Sequence, residues 1–323
     1  GQPLNQLLAR LMAALDPVLV DEAPDLVMVQ GDTTSALAGA LAAFHRRIPL
    51  AHIEAGLRSK NPLSPFPEEM NRRLISQLAS YHFAATPHNV RSLRAEGVAE
   101  ASIILTGNPV IDAVRWILHE APPSAALRQL VDELKHLRLV VLTTHRRENF
   151  GAVMRDHLVT LRRFIDSHAD TALIFPVHAN PAVREVAYDV LDGNPRIRLI
   201  APLDYPDFLH LMNHAWLIAS DSGGVQEEVP TLGKPLLVLR ENTERPEAIE
   251  CGAARLVGHS GERLWTMLEE ASREDSWMQR VKRVENPFGR GDSGVRIVDA
   301  IERIFGLPAR LQPERMMPDE LSA

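Results

Sequence analysis

The chain has 323 residues, of which 45% are hydrophobic and 24% are charged, and these proportions are typical of a globular protein with sizeable cores. Its formal net charge of −7 and pI near 6.0 argue against a surface that binds nucleic acid or anionic lipid. The one cysteine, Cys251, excludes an intrachain disulfide and a zinc site of several thiolates, and it fits a reducing cytoplasm. We therefore expect a cytoplasmic protein with no nucleic-acid partner, no membrane association and no bound metal.

Short apolar runs, polar turns and amphipathic helices alternate along the first part of the chain. Apolar residues at helical spacing predict a first helix near residues 4–15. Strands alternating with helices indicate a mostly parallel sheet that is covered on both faces. The predicted strands are 26–29, 50–53, 82–85 and 103–105, and the predicted helices are 33–45, 68–79, 90–96 and 110–118.

The pattern pauses at the Pro-containing stretch 121–124, which we interpret as a hinge, and then a second set of elements follows. The predicted strands are near 139–142, 172–175, 197–200, 216–219 and 236–239, with helices at 152–167, 181–191, 205–212 and 294–305 and a short one after Gly223-Gly224. The predicted fold class is α/β, with two Rossmann-like doubly wound domains at 1–120 and 121–305 and a tail at 306–323. Ligands of such sheets bind at the carboxyl ends of the strands, so we expect the two domains to face a shared cleft.

Three carboxylates lie at predicted strand ends of the first domain: Asp32, Glu54 and Glu68. Asp32 could be a helix N-cap, and Glu68 after Pro67 suits the first turn of a helix. Glu54 at the end of an apolar strand fits neither structural role. Three acids at one sheet edge favour acid–base chemistry, although each alone could serve an ion pair.

The second domain has two further candidate segments. Residues 143–151 follow a strand and open a helix, so His145, Arg146 and Arg147 suit a phosphate site. His178 lies in a turn, and a lone histidine there is usually structural.

The strongest signal is the run 220–228, where a strand ends, Gly223 and Gly224 permit close backbone approach, and a helix begins with free amides that can bind a diphosphate. Glu228 on that helix can accept hydrogen bonds from ribose hydroxyls, and Arg245 adds a cation near the same edge. The alternative is a tight turn capped by Ser222. The spacing is not G-x-G-x-x-G, so it does not predict nicotinamide binding.

Together these segments resemble the non-hydrolysing UDP-N-acetylglucosamine 2-epimerase family. The resemblance implies two Rossmann-like domains of the glycosyltransferase-B type, UDP-sugar in the cleft, and reversible inversion at C2 of the sugar without a cofactor. We also expect a homodimer. The matching runs are GDTTS (31–35), HIEAGLRS (52–59), PFPEEMNRRL (65–74), TGNPVIDA (106–113), TTHRRENFG (143–151), PVHANP (176–181), DSGGVQEE (221–228), GKPLLVLR (233–240) and TERPE (243–247).

The resemblance also implies roles for single residues. Asp32, Glu54 and Glu68 match the acids implicated in catalysis, and His145 matches the histidine near the leaving diphosphate. The expected substrate contacts are the uracil site (the backbone of Leu203, and Phe208), the phosphate and ribose contacts (Ser222, Gly223, Glu228), and Gly224 and Arg245. Arg146 and His178 match residues that contact a second, activating UDP-GlcNAc in bacterial relatives.

The start of the chain departs from the family pattern. The family opens with a strand and a Gly-Thr-Arg-Pro-Glu loop followed by a lysine, and nothing at the start of this sequence matches them. Two βα units, on the order of 60 residues, are expected to be missing. Since the lost loop brings an arginine and a lysine to the active site in relatives, this chain is expected to be a poor enzyme. Smaller departures are Pro109 for a usual threonine and Ala179 for a usual leucine.

Three other functions remain open from the sequence. Epimerases of UDP-2,3-diacetamido uronic acids share these motifs, and a glycosyltransferase of the same fold would transfer the sugar to an acceptor. A non-catalytic UDP-sugar-binding protein is the third alternative. The three carboxylates at one domain's strand ends favour an epimerase over the last two.

Overall fold

The computed structural model describes residues 2–59, 61–146, 149–273 and 276–308. Its helices are α1 (Leu4–Glu22), α2 (Thr34–His45), α3 (Glu68–Leu78), α4 (Pro87–Ala95), α5 (Pro109–Glu120), α6 (Ala125–Leu134), α7 (Ala152–Ser167), α8 (Pro181–Leu191), α9 (Tyr205–His214), α10 (Gly223–Leu232), α11 (Pro246–Glu250), α12 (Gly261–Arg273), α13 (Ser276–Val281) and α14 (Ser293–Ile304). Its strands are β1 (Val27–Gln30), β2 (Leu50–Ala55), β3 (Tyr81–Ala84), β4 (Ile103–Leu105), β5 (Arg138–Thr143), β6 (Thr171–Pro176), β7 (Ile197–Ile200), β8 (Leu217–Ser220), β9 (Leu236–Val238) and β10 (Ala254–Leu256).

The first sheet is parallel and has the order β1-β2-β3-β4. Helix α2 lies close over β1 and β2 because its inward face is built from alanines. Ala40 and Ala43 have no exposed surface and pack with Val29 and Leu50. The parallel arrangement brings the residues that follow β1 and β2 to one edge of the sheet.

The second sheet is also parallel, with the order β10-β9-β8-β5-β6-β7. Leucine, isoleucine and valine fill its strands, and its two faces are covered by two separate hydrophobic clusters. The strand order reverses between β5 and β8, and doubly wound sheets bind ligands at the carboxyl side of such a reversal. The segments after Thr143 and Ser220 therefore begin at the expected ligand crevice.

Two helices cross between the sheets. Helix α5 follows β4 of the first sheet but buries Ile111, Val114 and Ile117 in a cluster of the second sheet. Helix α14 returns to the first sheet, where Ile297 and Ala300 pack with strands β2 and β3. Hydrogen bonds connect the two crossing helices: Asp112 on α5 accepts from two backbone amides at the start of α14, at 2.9 and 3.1 Å.

The predicted hinge at 121–124 is held to the second unit. His210 of α9 lies 2.6 Å from the Ala121 carbonyl oxygen, and the Ser124 amide donates to Asp207. The packing therefore favours a first crossing at 106–108. The domain limits 1–120, 121–305 and 306–323 stay a prediction, which we propose to revise by counting α5 with the second unit and α14 with the first.

The predicted strands and helices are confirmed to within a few residues at each end, except that the first helix, predicted near 4–15, continues to Glu22. The sequence predicts no element at 125–134 or at 246–281, where the structure has α6, α11, β10, α12 and α13. None of the described helices is long and apolar enough to cross a bilayer. The predicted tail after residue 308 lies outside the described residues.

Candidate active site

Glu54 lies half-buried at the carboxyl end of β2 in an unusual backbone conformation. Its φ is 65°, in the left-handed region, and the register with β3 shifts between Ile53 and Ala55. Residues other than glycine adopt this conformation at an energetic cost, and such strain concentrates at functional sites. The Asn108 carboxamide donates to Glu54 Oε1 at 2.9 Å. Burial, and then the charge of Glu227, raise the pKa of Glu54 to about 7.

Asp32 is not a helix cap, because Thr33 caps α2 by accepting the Ala36 amide at 3.2 Å. The Asp32 carboxylate instead forms an ion pair with Arg72, whose guanidinium lies 2.7 Å away. The Asn71 side chain also donates to the Asp32 carbonyl oxygen at 2.8 Å. Asp32 is thus held at the sheet edge by two side chains of α3.

Glu68 lies in the first turn of α3, where a carboxylate is favoured by the helix dipole. The neighbouring Glu69 is fully buried and pairs with Arg72 and Arg73 at 3.1 and 3.0 Å. Glu69 therefore stabilises this helix, whereas Glu68 is half-buried, and its catalytic role stays a prediction.

Asp221, at the end of β8, organises the segment after β5. Its fully buried carboxylate accepts the Thr144 hydroxyl at 2.6 Å and the backbone amides of His145 and Arg146 at 3.1 and 3.0 Å. The His145 ring stacks on His178, with centroids 5.9 Å apart. Burial lowers the pKa of His145 despite the nearby Asp221. Arg147 lies outside the described residues.

The start of α10 is open at its backbone, as the glycine run predicts. Ser222 is the N-cap residue, but its side chain makes no capping hydrogen bond. A Cβ on Gly223 would lie 2.5 Å from a nitrogen of Arg245, so only glycine lets that guanidinium approach the helix end. Arg245 is held there by Glu227 at 2.5 Å and Glu244 at 3.3 Å.

Glu228, which follows Glu227 on α10, lies beside the glycines at the start of this helix. Tyr205 donates to its Oε1 at 2.8 Å, whereas its buried Oε2 has no hydrogen-bond partner among the described residues. A buried acceptor without a donor is costly, and a ligand hydroxyl could supply the missing donor. Leu203 and Phe208 lie half-buried nearby along the chain and pack against the second sheet's core.

Side chains of the two units meet across the cleft. Asn108 donates to Glu54 of the first sheet and, at 2.6 Å, to Glu227 of α10. The Thr86 hydroxyl donates to Glu247. Arg72, which holds Asp32, lies 4.0 Å from Glu244. Asp32 and Glu54 thus face the start of α10, and Arg146 joins the network through Glu244 at 3.6 Å.

The sequence analysis does not single out Asn108, Glu227 or Glu244. Asn108 precedes Pro109 at a helix start, a pattern that is explained by capping alone. Glu227 and Glu244 are carboxylates among other charged residues, and no spacing signal separates them from surface acids. Their importance lies in contacts between distant segments.

The sequence profile of the family described as UDP-N-acetylglucosamine 2-epimerase matches residues 1–302. The UDP-N-acetylglucosamine 2-epimerase of Escherichia coli (strain K12) is 42% identical over 309 residues, which are 94% of this chain and 82% of the relative. The S. aureus MnaA–UDP co-structure has a TM-score of 0.91 and 39% identity, covering 95% of this chain and 83% of that one. UDP-GlcNAc 2-epimerase from Neisseria meningitidis bound to UDP-GlcNAc has a TM-score of 0.88 and 37% identity, covering 94% and 82%. The two parallel sheets have the glycosyltransferase-B arrangement, and the chain belongs to the UDP-N-acetylglucosamine 2-epimerase family.

Proposed function

We propose that this chain interconverts UDP-N-acetylglucosamine and its C2 epimer, UDP-N-acetylmannosamine. The observation that carries the proposal is Glu54, a half-buried carboxylate in a left-handed backbone conformation that faces the start of α10 through Asn108 and Glu227. A pKa of about 7 suits a group that removes the C2 proton in one direction of the reaction and donates a proton in the reverse direction near neutral pH. Family membership favours this reaction over sugar transfer or binding without turnover.

The C2 proton of the sugar is only weakly acidic, so inversion needs a route that avoids a free carbanion. In the proposed reaction a carboxylate takes the C2 proton while the C1–O bond to UDP breaks, which leaves 2-acetamidoglucal. UDP then adds back at C1 as C2 receives a proton on the opposite face. This route needs acid–base groups on two faces of C2, and Glu54, Asp32 and Glu68 are the proposed groups.

The start of α10 is the proposed site of the diphosphate. The amides that follow Ser222 are free of a side-chain cap, and Arg245 lies directly over Gly223. A helix N-terminus and a guanidinium both favour an anion, and both stabilise the charge that develops on departing UDP. We place His145 beside this leaving group, where its lowered pKa keeps the imidazole neutral near pH 7.

The nucleoside is proposed to bind along the same unit. The unpaired Oε2 of Glu228 would accept a ribose hydroxyl, and the uracil would lie against the Leu203 backbone and Phe208. Two residues are proposed contacts for a second, activating UDP-GlcNAc: His178, which stacks on the His145 ring, and Arg146, which donates to the Asp221 carbonyl oxygen. The exposed His178 ring accepts the Asn180 amide at 3.2 Å, which fixes its orientation.

Proton NMR of UDP-GlcNAc incubated with the chain in D₂O tests the reaction. We expect the C2 epimer to appear together with deuterium at C2, since the returned proton comes from solvent-exchanging groups. Bound UDP-GlcNAc without exchange at C2 would contradict the proposal. Release of UDP only after an acceptor sugar is added would indicate a glycosyltransferase, and turnover of a UDP-2,3-diacetamido uronic acid alone would change the substrate.

The homodimer and the cytoplasmic location stay predictions. The free, half-buried Cys251 is compatible with a reducing compartment. Light scattering on the purified chain measures the oligomeric state, and a monomer across micromolar concentrations would contradict the dimer.

A further inference from the structure

Asn108 does more in this structure than cap a helix. It is 1% exposed and lies where the chain leaves the first sheet for α5. Its Oδ1 accepts the Val110 amide at 3.1 Å, and this bond fixes which end of the carboxamide faces the cleft. The nitrogen end must then point at the two carboxylates, Glu54 Oε1 at 2.9 Å and Glu227 Oε2 at 2.6 Å.

Capping alone does not require asparagine at this position. Serine and aspartate cap helices about as well, but neither has an NH₂ group that can donate to two acceptors. The pair of acids needs such a donor, because the half-buried Glu54 and the buried Glu227 face each other and like charges repel. Asparagine is therefore the residue type that satisfies the helix end and both acids together.

The two hydrogen bonds from the Asn108 carboxamide to Glu54 and Glu227, the Asn108 bridge, join groups from different parts of the fold. Glu54 belongs to β2 of the first sheet, and Glu227 belongs to α10 of the second unit, where Arg245 holds its other oxygen at 2.5 Å. The Asn108 backbone amide also donates to Phe288 at 2.6 Å, in the segment that leads into α14. Asn108 thus contacts both crossings between the units as well as both acids.

We propose that Asn108 is a positioning residue for the epimerisation, which holds Glu54 against Glu227 and so sets the orientation and charge state of Glu54. This inference rests on the proposed function of Glu54. The charged groups that face Glu54 are Glu227 and Arg245 from the second unit and Asp32 from the first sheet. The hydrogen bond from Asn108 favours the ionised form of Glu54, and the charge of Glu227 opposes it.

Opposite changes at the two ends of the bridge give the sharpest test. Asn108→Ser keeps a helix cap and removes the donor, so the pH–rate limb due to Glu54 should move to higher pH by about one unit. Glu227→Gln removes the like charge, so the same limb should move to lower pH. Asn108→Asp keeps both size and cap but adds a third carboxylate, so it should lower kcat more than Asn108→Ser.

The matched control is Ser124→Ala, which removes the N-cap hydrogen bond of α6 without touching an acid. It should cost some stability and leave the pH–rate profile in place. If Asn108→Ser lowers kcat without moving the limb, or if Glu227→Gln moves it in the same direction as Asn108→Ser, Asn108 is only a structural cap.

A readout without turnover separates this inference from the proposed function. Urea unfolding at pH 5.5 and pH 8 gives the free energy of unfolding of four chains: the parent, Glu54→Gln, Asn108→Ser and the double variant. The effect of Glu54→Gln on that free energy is then compared between the parent background and the Asn108→Ser background. The pH-dependent part of that effect should grow in Asn108→Ser. If this pH-dependent part grows but the chain does not epimerise UDP-GlcNAc, the proposed function is refuted and the role of Asn108 stands. If the chain is active and this part does not grow, the role of Asn108 is refuted.

Discussion

The carboxyl ends of the two sheets both bury acids, but they surround them differently. Burial opposes ionisation of Glu244, in the second unit, yet Arg245, Arg240 and Arg146 together lower its pKa to about 2. Glu54, in the first, receives a neutral carboxamide instead of a direct ion pair, and its pKa rises to about 7. At Glu244 three arginines outweigh burial, whereas at Glu54 no cation in the described part of the chain is in contact with the carboxylate and burial raises the pKa.

This contrast assigns different work to the two regions. In the second unit arginines surround the start of α10, an arrangement that favours binding of an anion. In the first sheet no arginine among the described residues is in contact with Glu54, an arrangement that favours proton transfer. Asp32 is intermediate, because it lies beside Glu54 but carries Arg72. Substitutions at these acids should therefore separate rate from binding.

The largest effect is expected for Glu54→Gln. The variant keeps the side chain's shape but cannot transfer a proton, so kcat should fall by roughly 10²–10⁴-fold. UDP affinity should stay nearly unchanged, because the proposed UDP contacts lie in the second unit. Turnover is measured by NMR and UDP binding by calorimetry. A near-parental rate would make Glu54 structural and end its acid–base assignment.

A loss of at least about 10²-fold is expected for Asp32→Asn, again with little change in UDP affinity. Its ion pair with Arg72 complicates the comparison, since removing the charge takes one carboxylate partner from a buried guanidinium that keeps Glu69. Asp16→Asn is a control, because Asp16 pairs with Arg46 at 2.6 Å on the exposed surface. If Asp32→Asn loses only as much activity as this control, Asp32 serves the ion pair alone.

Binding should respond to Glu228→Ala. If Glu228 accepts ribose hydroxyls, its loss costs about 1.5–3 kcal/mol, or roughly a 10- to 150-fold higher Kd for UDP. Tyr205→Phe keeps the carboxylate and removes only its donor, so it should weaken UDP binding less. Calorimetry on both variants measures this order. An unchanged Kd in Glu228→Ala would remove Glu228 from the ribose site.

The sequence predicts α2 from its alanine-rich run and the strands of the second sheet from their continuous apolar stretches. No element is predicted at 246–281, where β10 has three residues and α11 has five, lengths at which no periodicity develops. Helix α12 in the same range has 13 residues and a clear amphipathic pattern, so the sequence carried a signal there that the prediction did not use. Glu54 is recognisable because an acid ends an apolar strand. Its partners Asn108 and Glu227 are not recognisable from the sequence, since these three residues come together only when the two units pack against each other.

The smallest effect expected is on stability, and it tests the burial of Glu54 without any substrate. The folded chain binds the Glu54 proton more tightly than the unfolded chain, because burial and Glu227 raise its pKa from 4.5 to about 7. Well below pH 4.5 both states carry the proton. As the pH rises from 4.5 to 7 the unfolded chain loses the proton while the folded chain still binds it, so stability falls, and it levels off once both states are ionised above pH 7. Glu54→Gln lacks this proton, so the variant should gain about 2 kcal/mol on its parent between pH 5.5 and pH 8.

Urea unfolding at the two pH values measures that gain, and Glu96→Gln provides the control with the opposite physics. Arg58, 2.7 Å from Glu96, lowers the pKa of the Glu96 carboxyl, so its contribution is lost only as the pH falls below its ordinary value of 4.5. Between pH 5.5 and pH 8 both states of Glu96 are ionised, and the difference between Glu96→Gln and the parent should stay constant. A pH-independent difference for Glu54→Gln as well would mean that Glu54 is ionised as readily in the fold as in water. The contrast between the two sheet ends would then not arise from burial without a cation.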